Sequence, residues 1–475
     1  MSASLPRMIG YGVGECASSL VLNGLFSFAM LYYSTVLGLS PALAGAALAV
    51  SLVLETAIDP AMGHVSDRTR HRLGRRHPWM LAGGCLMAVC FYCLWAVPST
   101  LHGRELPLFA YLLLVNLVLR AGLTMFFVPY LALGFELCPD TEGSTKLQAV
   151  RQVMNLAANL AGPALAWSLY FRDTAAPDGA TVAGTSVPQN YVHMGTAFSL
   201  IVVVCVLAAA WLTRGWMDDT RAGPGKSGLG AISFWGDVRQ SVGDSRFMRV
   251  LGFLFLAGSG MAWVSSFQPY VYVYFMGFAP WQKTLVHGST MIGMAVGGVL
   301  SAWLVRRFDK KGTVLLGGLV SLLSNGMLAA LFLRGGVARG TSGALAGFAF
   351  FHAAFWLGNG ILLPTGVAMI ADLCALHRRR TGLTKDGSYA ALYSLSMKVA
   401  TAFALLGSGG VLRLIGFSPC AAQGAYLPEV IWRLGVAMFL AGPLMTALAL
   451  AVIAPLKIPS EEHRIALKPV PGAAK

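Results

Sequence analysis

Long runs of apolar residues, separated by short polar connections, extend along all 475 residues of the chain. A helix needs about 20 consecutive, mostly apolar residues to cross the hydrocarbon core of a bilayer. Twelve runs meet this condition, so the pattern predicts twelve transmembrane helices. The predicted spans are 9–36, 42–65, 78–97, 107–134, 148–171, 191–213, 250–276, 285–305, 312–333, 343–372, 388–414 and 430–456.

The longest polar interval divides the spans into two groups of six. It predicts an N-terminal six-helix bundle over 1–213, a cytoplasmic linker over 214–249, a C-terminal six-helix bundle over 250–458 and a cytoplasmic tail over 459–475. Basic connections, "GHVSDRTRHRLGRR" and "LVRRFDKKG", follow the second span of each group. These matching positions predict two parallel repeats, with a substrate site between them near the bilayer midplane.

Composition supports a membrane protein, because 56% of the residues are hydrophobic and only 12% are charged. A soluble protein carries roughly 25% charged residues, so a soluble enzyme is excluded. We find no Ser/His or metal-ligand constellation at a workable spacing, so we expect neither an enzyme nor a cofactor. We expect a monomer whose partners are a small-molecule substrate, a coupling cation and the lipid bilayer.

The net charge of +15 follows from the placement of Lys and Arg in the even-numbered connections. Cytoplasmic loops of membrane proteins collect these residues, which predicts a multi-pass protein of the inner (plasma) membrane with both termini in the cytoplasm. The same bias explains the charge without nucleic-acid binding. The basic residues include Arg68, Arg70, Arg72, Arg75, Arg76, Lys146, Arg306, Arg307, Lys310, Lys311, Arg378, Arg379, Arg380 and Lys385.

Two acids inside predicted span 2 are the sharpest chemical feature. An ionisable residue inside a span costs about 2.5–3.5 kcal/mol on insertion scales, so each is a functional candidate. Glu55 and Asp59 lie one helical turn apart and share a face. A bound Na⁺, a shared proton or a nearby lysine would relieve their repulsion. Lys398, in predicted span 11, itself needs an acid, so a structural ion pair with Lys398 or Arg151 is the alternative.

Arg120, in predicted span 4, also needs a counter-charge, because a guanidinium stays protonated. An anionic substrate, Glu15 or helix carbonyls could supply it. Glu15 is expected near the cytoplasmic end of span 1, in a solvated or gate-paired position. The isolated histidines His287 and His352 are either packed side chains or proton carriers.

A charged turn follows predicted span 2 and contains Asp67, Arg68, Arg75 and Arg76. One interpretation is a solvated cytoplasmic loop that obeys the positive-inside rule. The other is a cytoplasmic gate whose salt bridges hold one conformation.

Four segments occur in an order that resembles one transporter family: "ETAIDPAMGHVSDRTRHRLGRRHPW", "VPYLALGFELCPDTEGSTKLQAVRQ", "MIADLCALHRRRTG" and "DGSYAALYSLSMKVATAF". Along essentially its whole length the chain resembles the glycoside–pentoside–hexuronide:cation symporters of the major facilitator superfamily. The resemblance implies an all-α membrane protein of twelve transmembrane helices in two six-helix halves. It also implies cation-coupled symport of a sugar, glycoside or hexuronide by alternating access.

The resemblance also assigns roles to residues. It implies that Glu55 and Asp59 bind Na⁺ or H⁺ with help from Thr124, that Lys398 couples this site to the substrate, and that Arg151 lies near the sugar. The first acid is Glu where the family has Asp. Ile58 stands where an oxygen ligand is common. The coupling ion is therefore H⁺ or Na⁺.

Two positions bear on the substrate. Ser19 and Phe127 stand where galactoside-transporting members carry acids, so an acidic grip on a galactoside is not expected. Asn23 and Arg120 are further candidates for the substrate cavity. Sodium-dependent lysophosphatidylcholine symporters are also relatives, so a lysophospholipid or other amphiphile is the alternative substrate. A membrane sensor that does not transport is a third interpretation.

Overall fold

The computed structural model describes residues 5–137, 141–175, 181–214, 243–381, 386–417 and 426–456. These residues are almost entirely helical. The α-helices are α1 Leu5–Gly24, α2 Pro41–Arg68, α3 His77–Trp95, α4 Glu105–Leu137, α5 Thr141–Leu165, α6 Pro188–Leu212, α7 Ser245–Tyr270, α8 Pro280–Leu333, α9 Ser342–Thr381, α10 Asp386–Leu414 and α11 Pro428–Ile453. Short π-helices are Leu25–Ala29, Tyr32–Val36, Ala166–Tyr170 and Val271–Phe275, and short 3₁₀ helices are Ser99–Leu101 and Gly184–Ser186.

Ten of the described helices are long and apolar enough to cross a membrane. This confirms a polytopic helical membrane protein. The helix α5 is absent from these ten because polar residues fill much of its length: "TEGSTKLQAVRQVMNLAANLAGPAL". One addition to the all-α expectation is a small antiparallel pair of strands, β1 Thr174–Ala175 and β2 Thr181–Val182, in the connection between predicted spans 5 and 6.

Several element boundaries differ from the predicted ones. Predicted spans 8 and 9 both lie within α8, which is interrupted between them at Asp309, where φ of 58° and ψ of −179° are not helical. Helix α7 starts inside the predicted linker, because the Asp244 carboxylate accepts the backbone N–H groups of Arg246 (2.9 Å) and Phe247 (3.3 Å) as an N-cap. The remaining linker residues 215–242, and the predicted tail, lie outside the described residues.

The first helix and α7 end in the same way. Each passes into a π-helix, Tyr32–Val36 or Val271–Phe275. Each then turns at a glycine with positive φ, 85° at Gly38 and 63° at Gly277. This conformation is readily available only to glycine. A proline starts the next helix in both places, so the two stretches have the same local design.

The helices form two groups that meet through two pairs. Within the first group α1 packs on α5 and α6, α2 on α4, and α3 on α4 and α6. Within the second group α7 packs on α10 and α11, and α8 on α9 and α11. Between the groups α2 packs on α10, and α5 packs on α8. Polar residues of α2, α4 and α10 therefore come together in the interior.

Candidate ion site and substrate cavity

A cluster of two acids and a lysine lies between α2 and α10. The Lys398 ammonium Nζ is 2.6 Å from Asp59 Oδ2 and 3.2 Å from Glu55 Oε1. The Thr124 hydroxyl, on α4, donates to Asp59 Oδ1 at 2.9 Å. The structure thus brings together all four residues that the family resemblance implied for ion binding and coupling.

Arg120 completes this cluster. Its Nη1 lies 2.6 Å from Glu55 Oε2, and the side chains of both residues are almost fully buried. The geometry follows from helical spacing: Arg120 and Thr124 are one turn apart on α4 and face Glu55 and Asp59, one turn apart on α2. Arg120 therefore pairs with a different acid from Glu15, which the sequence offered. It lies at the ion cluster rather than in the cavity described below.

Glu15 has its own partners. Its Oε2 is 3.1 Å from Nε of Arg151, and its Oε1 accepts from the Asn155 amide at 3.2 Å. Only 5% of Glu15 is exposed, whereas the sequence suggested a solvated or gate-paired residue. Burial in an apolar helix bundle requires such pairing.

A ladder of side-chain hydrogen bonds continues from this pair along α1 and α5. The Asn155 amide donates to Ser19 Oγ at 2.8 Å, and the Asn159 amide donates to Asn155 Oδ1 at 2.9 Å. Asn23 then donates to Asn159 Oδ1 at 2.9 Å. Sequence reasoning missed both α5 asparagines, although their four-residue spacing from Arg151 marks one polar helix face.

A cavity of about 290 Å³ lies at the end of this ladder, between the two helix groups. This volume is near the lower end of the range for ligand pockets, roughly 300–1,000 Å³. None of its described lining residues is an acid, a lysine or an arginine. The wall combines amides, hydroxyls and aromatic rings with apolar side chains, among them Leu22, Met261, Met291 and Met294. Lining residues include Asn23, Phe26, Ser27, Asn159, Trp167, Ser265, Gln268, Tyr272, His287 and Trp356.

Hydrogen bonds cross this cavity from one helix group to the other. His287 on α8 lies 3.4 Å from the Asn159 carbonyl through Nε2, and 3.3 Å from the Gln268 amide nitrogen through Nδ1. Gln268 Oε1 is 3.2 Å from Nε2 of His352 on α9. The two histidines, isolated in the sequence, therefore belong to one buried network.

A second cavity, also of about 290 Å³, opens beside Lys398. It shares one lining residue, Phe26, with the first cavity. Phe26 thus borders both the first cavity and the cavity beside the ion cluster. Phe127, expected in the cavity, is half-buried, with its ring centre 6.1 Å from that of Tyr130. It does not line either described cavity.

The charged turn after α2 contains one tight ion pair. Arg76 Nη2 lies 2.6 Å from Asp67 Oδ1, and Arg76 Nη1 donates to Ser66 Oγ at 2.7 Å. Arg68 is exposed and Arg75 is half-buried. Asp67 lies in the last turn of α2 and Arg76 immediately precedes α3, so this bond lies within one helix group.

The helical fold and its buried, ion-paired interior define a transporter of the major facilitator type. The model of the MFS/sugar transport protein family matches residues 10–460. The chain belongs to this family, and within it to the glycoside–pentoside–hexuronide:cation symporters. The family resemblance of the sequence motifs is thereby confirmed.

Individual proteins agree with this assignment. An uncharacterized symporter of Synechocystis is 25% identical and covers 94% of this chain and 93% of its own length. A glucuronide carrier protein homolog of Escherichia coli is 24% identical, and the similarity covers 94% of this chain and 92% of that protein. Sodium-dependent lysophosphatidylcholine symporter 1-B of Danio rerio is 22% identical, and the similarity covers 65% of this chain and 61% of that protein.

A solved structure is similar in fold. It is a bacterial homolog of the human lysosomal transporter Spinster in an inward-facing conformation, with a TM-score of 0.66 and 13% identity. The similarity covers 95% of this chain and 97% of that chain.

Proposed function

We propose that the protein is a cation-coupled symporter of an uncharged sugar or glycoside, working by alternating access. The observation that carries this proposal is the uncharged polar cavity, which shares the lining residue Phe26 with the cavity beside the ion-paired cluster. Amides and hydroxyls hydrogen-bond sugar hydroxyls, and Trp167 and Trp356 offer flat faces to a sugar ring.

The fold supports a twelve-span architecture in two parallel halves. The break at Asp309 divides α8 into two spans, and α5 lies in the bundle despite its polarity. The repeated ending of α1 and α7 supports two equivalent halves. The contacts between the halves are also equivalent. Helix α2, the second span of the first half, meets α10, the fifth span of the second half, and α5, the fifth span of the first half, meets α8, which begins with the second span of the second half. Parallel repeats of this kind bind substrate at their interface.

Orientation follows from the basic loops. If these loops face the cytoplasm, both termini do as well, and the protein lies in the inner membrane. The contacts of Ser34 with Tyr270 (2.7 Å) and of Ser168 with Thr284 (3.0 Å) then lie between the midplane and the outside. They support a conformation that is closed to the outside and accessible from the cytoplasm.

Coupling would depend on Lys398, which joins the two halves through Glu55 and Asp59. A cation that binds these acids competes with the ammonium for the same oxygens. It would therefore loosen a bond between the halves next to the substrate cavity. Two ligands that favour the same conformation assist each other's binding, which is the thermodynamic basis of symport.

A lysophospholipid is the second candidate substrate, because the zebrafish relative is named for one. A hexuronate is a third, because of the glucuronide carrier homolog. Its carboxylate would need a cation, yet Arg151 and Arg120 are each engaged with a glutamate. These pairings favour an uncharged sugar over a hexuronate.

The test is thermal stability of the purified chain against sugars, glycosides, hexuronates and lysophosphatidylcholine. A ligand of the folded state raises the melting temperature by mass action. We expect a sugar or glycoside to do so. A response to lysophosphatidylcholine alone would contradict the proposal.

The ligand found in this way then serves as the substrate for uptake into proteoliposomes. We expect Asp59→Asn to abolish accumulation driven by an ion gradient. Asp372→Asn is the matched control, because Asp372 is also 32% exposed and lies 2.6 Å from a lysine, Lys310, away from the cavity. Equal accumulation by Asp59→Asn and the wild type would contradict the assignment of the ion site.

A further inference from the structure

Sodium is one of the two coupling ions that the family implies, and the residues of the ion cluster suit it poorly. Sodium is a hard cation that needs oxygen ligands directed at one point. The two acids offer four carboxylate oxygens, and each already accepts a donor. Arg120 holds Glu55 Oε2, Lys398 holds Glu55 Oε1 and Asp59 Oδ2, and Thr124 holds Asp59 Oδ1.

The two cations of this cluster differ in whether they can leave. Lys398 is partly exposed, at 18% of its side chain, and has a flexible stem beside an open cavity. Arg120 is 2% exposed and stays charged. Its Nε and Nη2 have no hydrogen-bond partner within the described part of the chain, so Glu55 is the acid that compensates it. Withdrawal of Glu55 would leave a buried charge without a partner.

Ile58 does not replace Glu55 Oε2, the oxygen that Arg120 occupies. Ile58, next to Asp59, presents only hydrocarbon. If Lys398 moves away, the side-chain oxygens that remain as ligands for sodium are those of Asp59, the Thr124 hydroxyl and one oxygen of Glu55. In the described part of the chain, no group of three or more His, Cys, Asp or Glu residues could hold a metal ion.

We propose that Arg120 is a built-in cation that occupies one half of the acid pair, and that it excludes sodium from this site. The inference rests on the proposed symport function, since it concerns which ion the symporter takes. Two carboxylates balance two side-chain cations, and only Lys398 can leave. One positive charge is therefore exchangeable, and with sodium excluded the proton is the coupling ion.

The first experiment needs no substrate. The binding of radioactive sodium and the melting temperature of the full-length wild type are measured in sodium chloride and in choline chloride at equal ionic strength. We expect no bound sodium and equal melting temperatures. Saturable binding of one sodium per chain, with a rise in melting temperature that Asp59→Asn abolishes, would overturn the inference.

Variants then test the role of Arg120 itself. The double variant Arg120→Gln with Ile58→Asn frees Glu55 Oε2 and adds a side-chain oxygen at position 58. We therefore expect sodium to bind this variant and to raise the variant's melting temperature. Arg151→Gln is the matched control, because it removes an arginine from the other buried Arg–Glu pair, and we expect it to stay indifferent to sodium. A folded double variant that ignores sodium would overturn the role of Arg120. If the double variant does not fold, the wild-type measurement decides alone.

The outcomes separate this inference from the proposed function. Sodium binding by a wild type that also binds a sugar would overturn the inference and leave the function standing. A folded protein that binds no sugar or glycoside would overturn the proposed function, whatever its response to sodium.

Discussion

At the scale of residues, α2 and α4 are joined by two pairs of side chains, and the partners on each helix are four residues apart. Glu55 and Asp59 on α2 face Arg120 and Thr124 on α4, and Lys398 approaches from α10. Each acid has a different arrangement of donors. Both acids contact the Lys398 ammonium; the buried Glu55 also has the buried Arg120 guanidinium, whereas the more exposed Asp59 has the Thr124 hydroxyl. The two acids are therefore expected to be unequal in function.

The pair of Glu55 and Arg120 predicts a strong energetic coupling. Removal of one partner of a buried ion pair costs about 3–5 kcal/mol, because it leaves the other charge uncompensated. We expect Glu55→Gln and Arg120→Gln each to lower the free energy of unfolding by about this amount, and the double variant to lose much less than the sum. Unfolding in mixed detergent micelles measures these energies.

The exposed pair of Glu429 and Arg433 is the control for this cycle. An exposed ion pair one helical turn apart contributes only about 0.3–0.5 kcal/mol, so its two single variants should be nearly neutral. Additive losses at Glu55 and Arg120 would show that the two residues are not coupled.

The sequence identified the residues of the ion cluster but not all their pairings. Helical spacing placed Glu55 and Asp59 on one face, and the charge of Lys398 inside a predicted span marked it as a candidate partner. The family resemblance added Thr124. Spacing within a helix carries no information on which neighbouring helix a face meets. For that reason the partner of Arg120 and the network around Gln268 emerged only from the structure.

At the scale of elements, the repeated turn after α1 and α7 joins each half's first helix to its second. The π-helix shifts the backbone, and a glycine with positive φ then reverses it. Sequence periodicity predicted the helices on both sides. It also placed a connection at each turn and at Asp309, between predicted spans 1 and 2, 7 and 8, and 8 and 9. It did not predict the π-helices or the positive φ angles there, because these backbone conformations leave no mark on the hydrophobic pattern.

Gly277 offers a clean test of this turn, since a Cβ there would meet no atom within 4 Å. A positive φ costs an L-residue about 1–2 kcal/mol, so Gly277→Ala should lower the free energy of unfolding by that amount through the backbone alone. Gly326→Ala is the control, because that site is equally open but lies inside a regular helix, where alanine stabilises by about 0.5–1 kcal/mol. Equal effects of the two variants would contradict this account.

At the scale of the whole molecule, the halves are held closest where α2 and α10 pack backbone to backbone. A Cβ at Gly409 would collide with the carbonyl oxygen of Pro41, whereas a Cβ at Gly410 would meet nothing within 4 Å. This contact lies toward the end that we propose faces the outside. A bulky side chain at Gly409 must therefore separate the halves there.

We expect Gly409→Leu to shift the protein toward an outward-open conformation and Gly410→Leu to leave the equilibrium unchanged. Spin labels at the exposed positions Arg104 and Arg334, in a chain without reactive cysteines, report the separation of the halves at this end. Pulsed electron paramagnetic resonance should give a longer distance between the two spin labels in Gly409→Leu than in the wild type, and an unchanged distance in Gly410→Leu. Identical distances in both variants would contradict a closed outer end.

The polarity of α5 also bears on how the protein is made. Its stripe of Arg151, Asn155 and Asn159 keeps it out of the ten helices that are apolar enough to cross a membrane unaided. Charged and amide groups enter a bilayer poorly unless another helix pairs with them. The partners Glu15, Ser19 and Asn23 all lie on α1, which the ribosome completes first. We therefore expect the membrane insertion of α5 to depend on α1, whose polar residues are the partners that α5 needs.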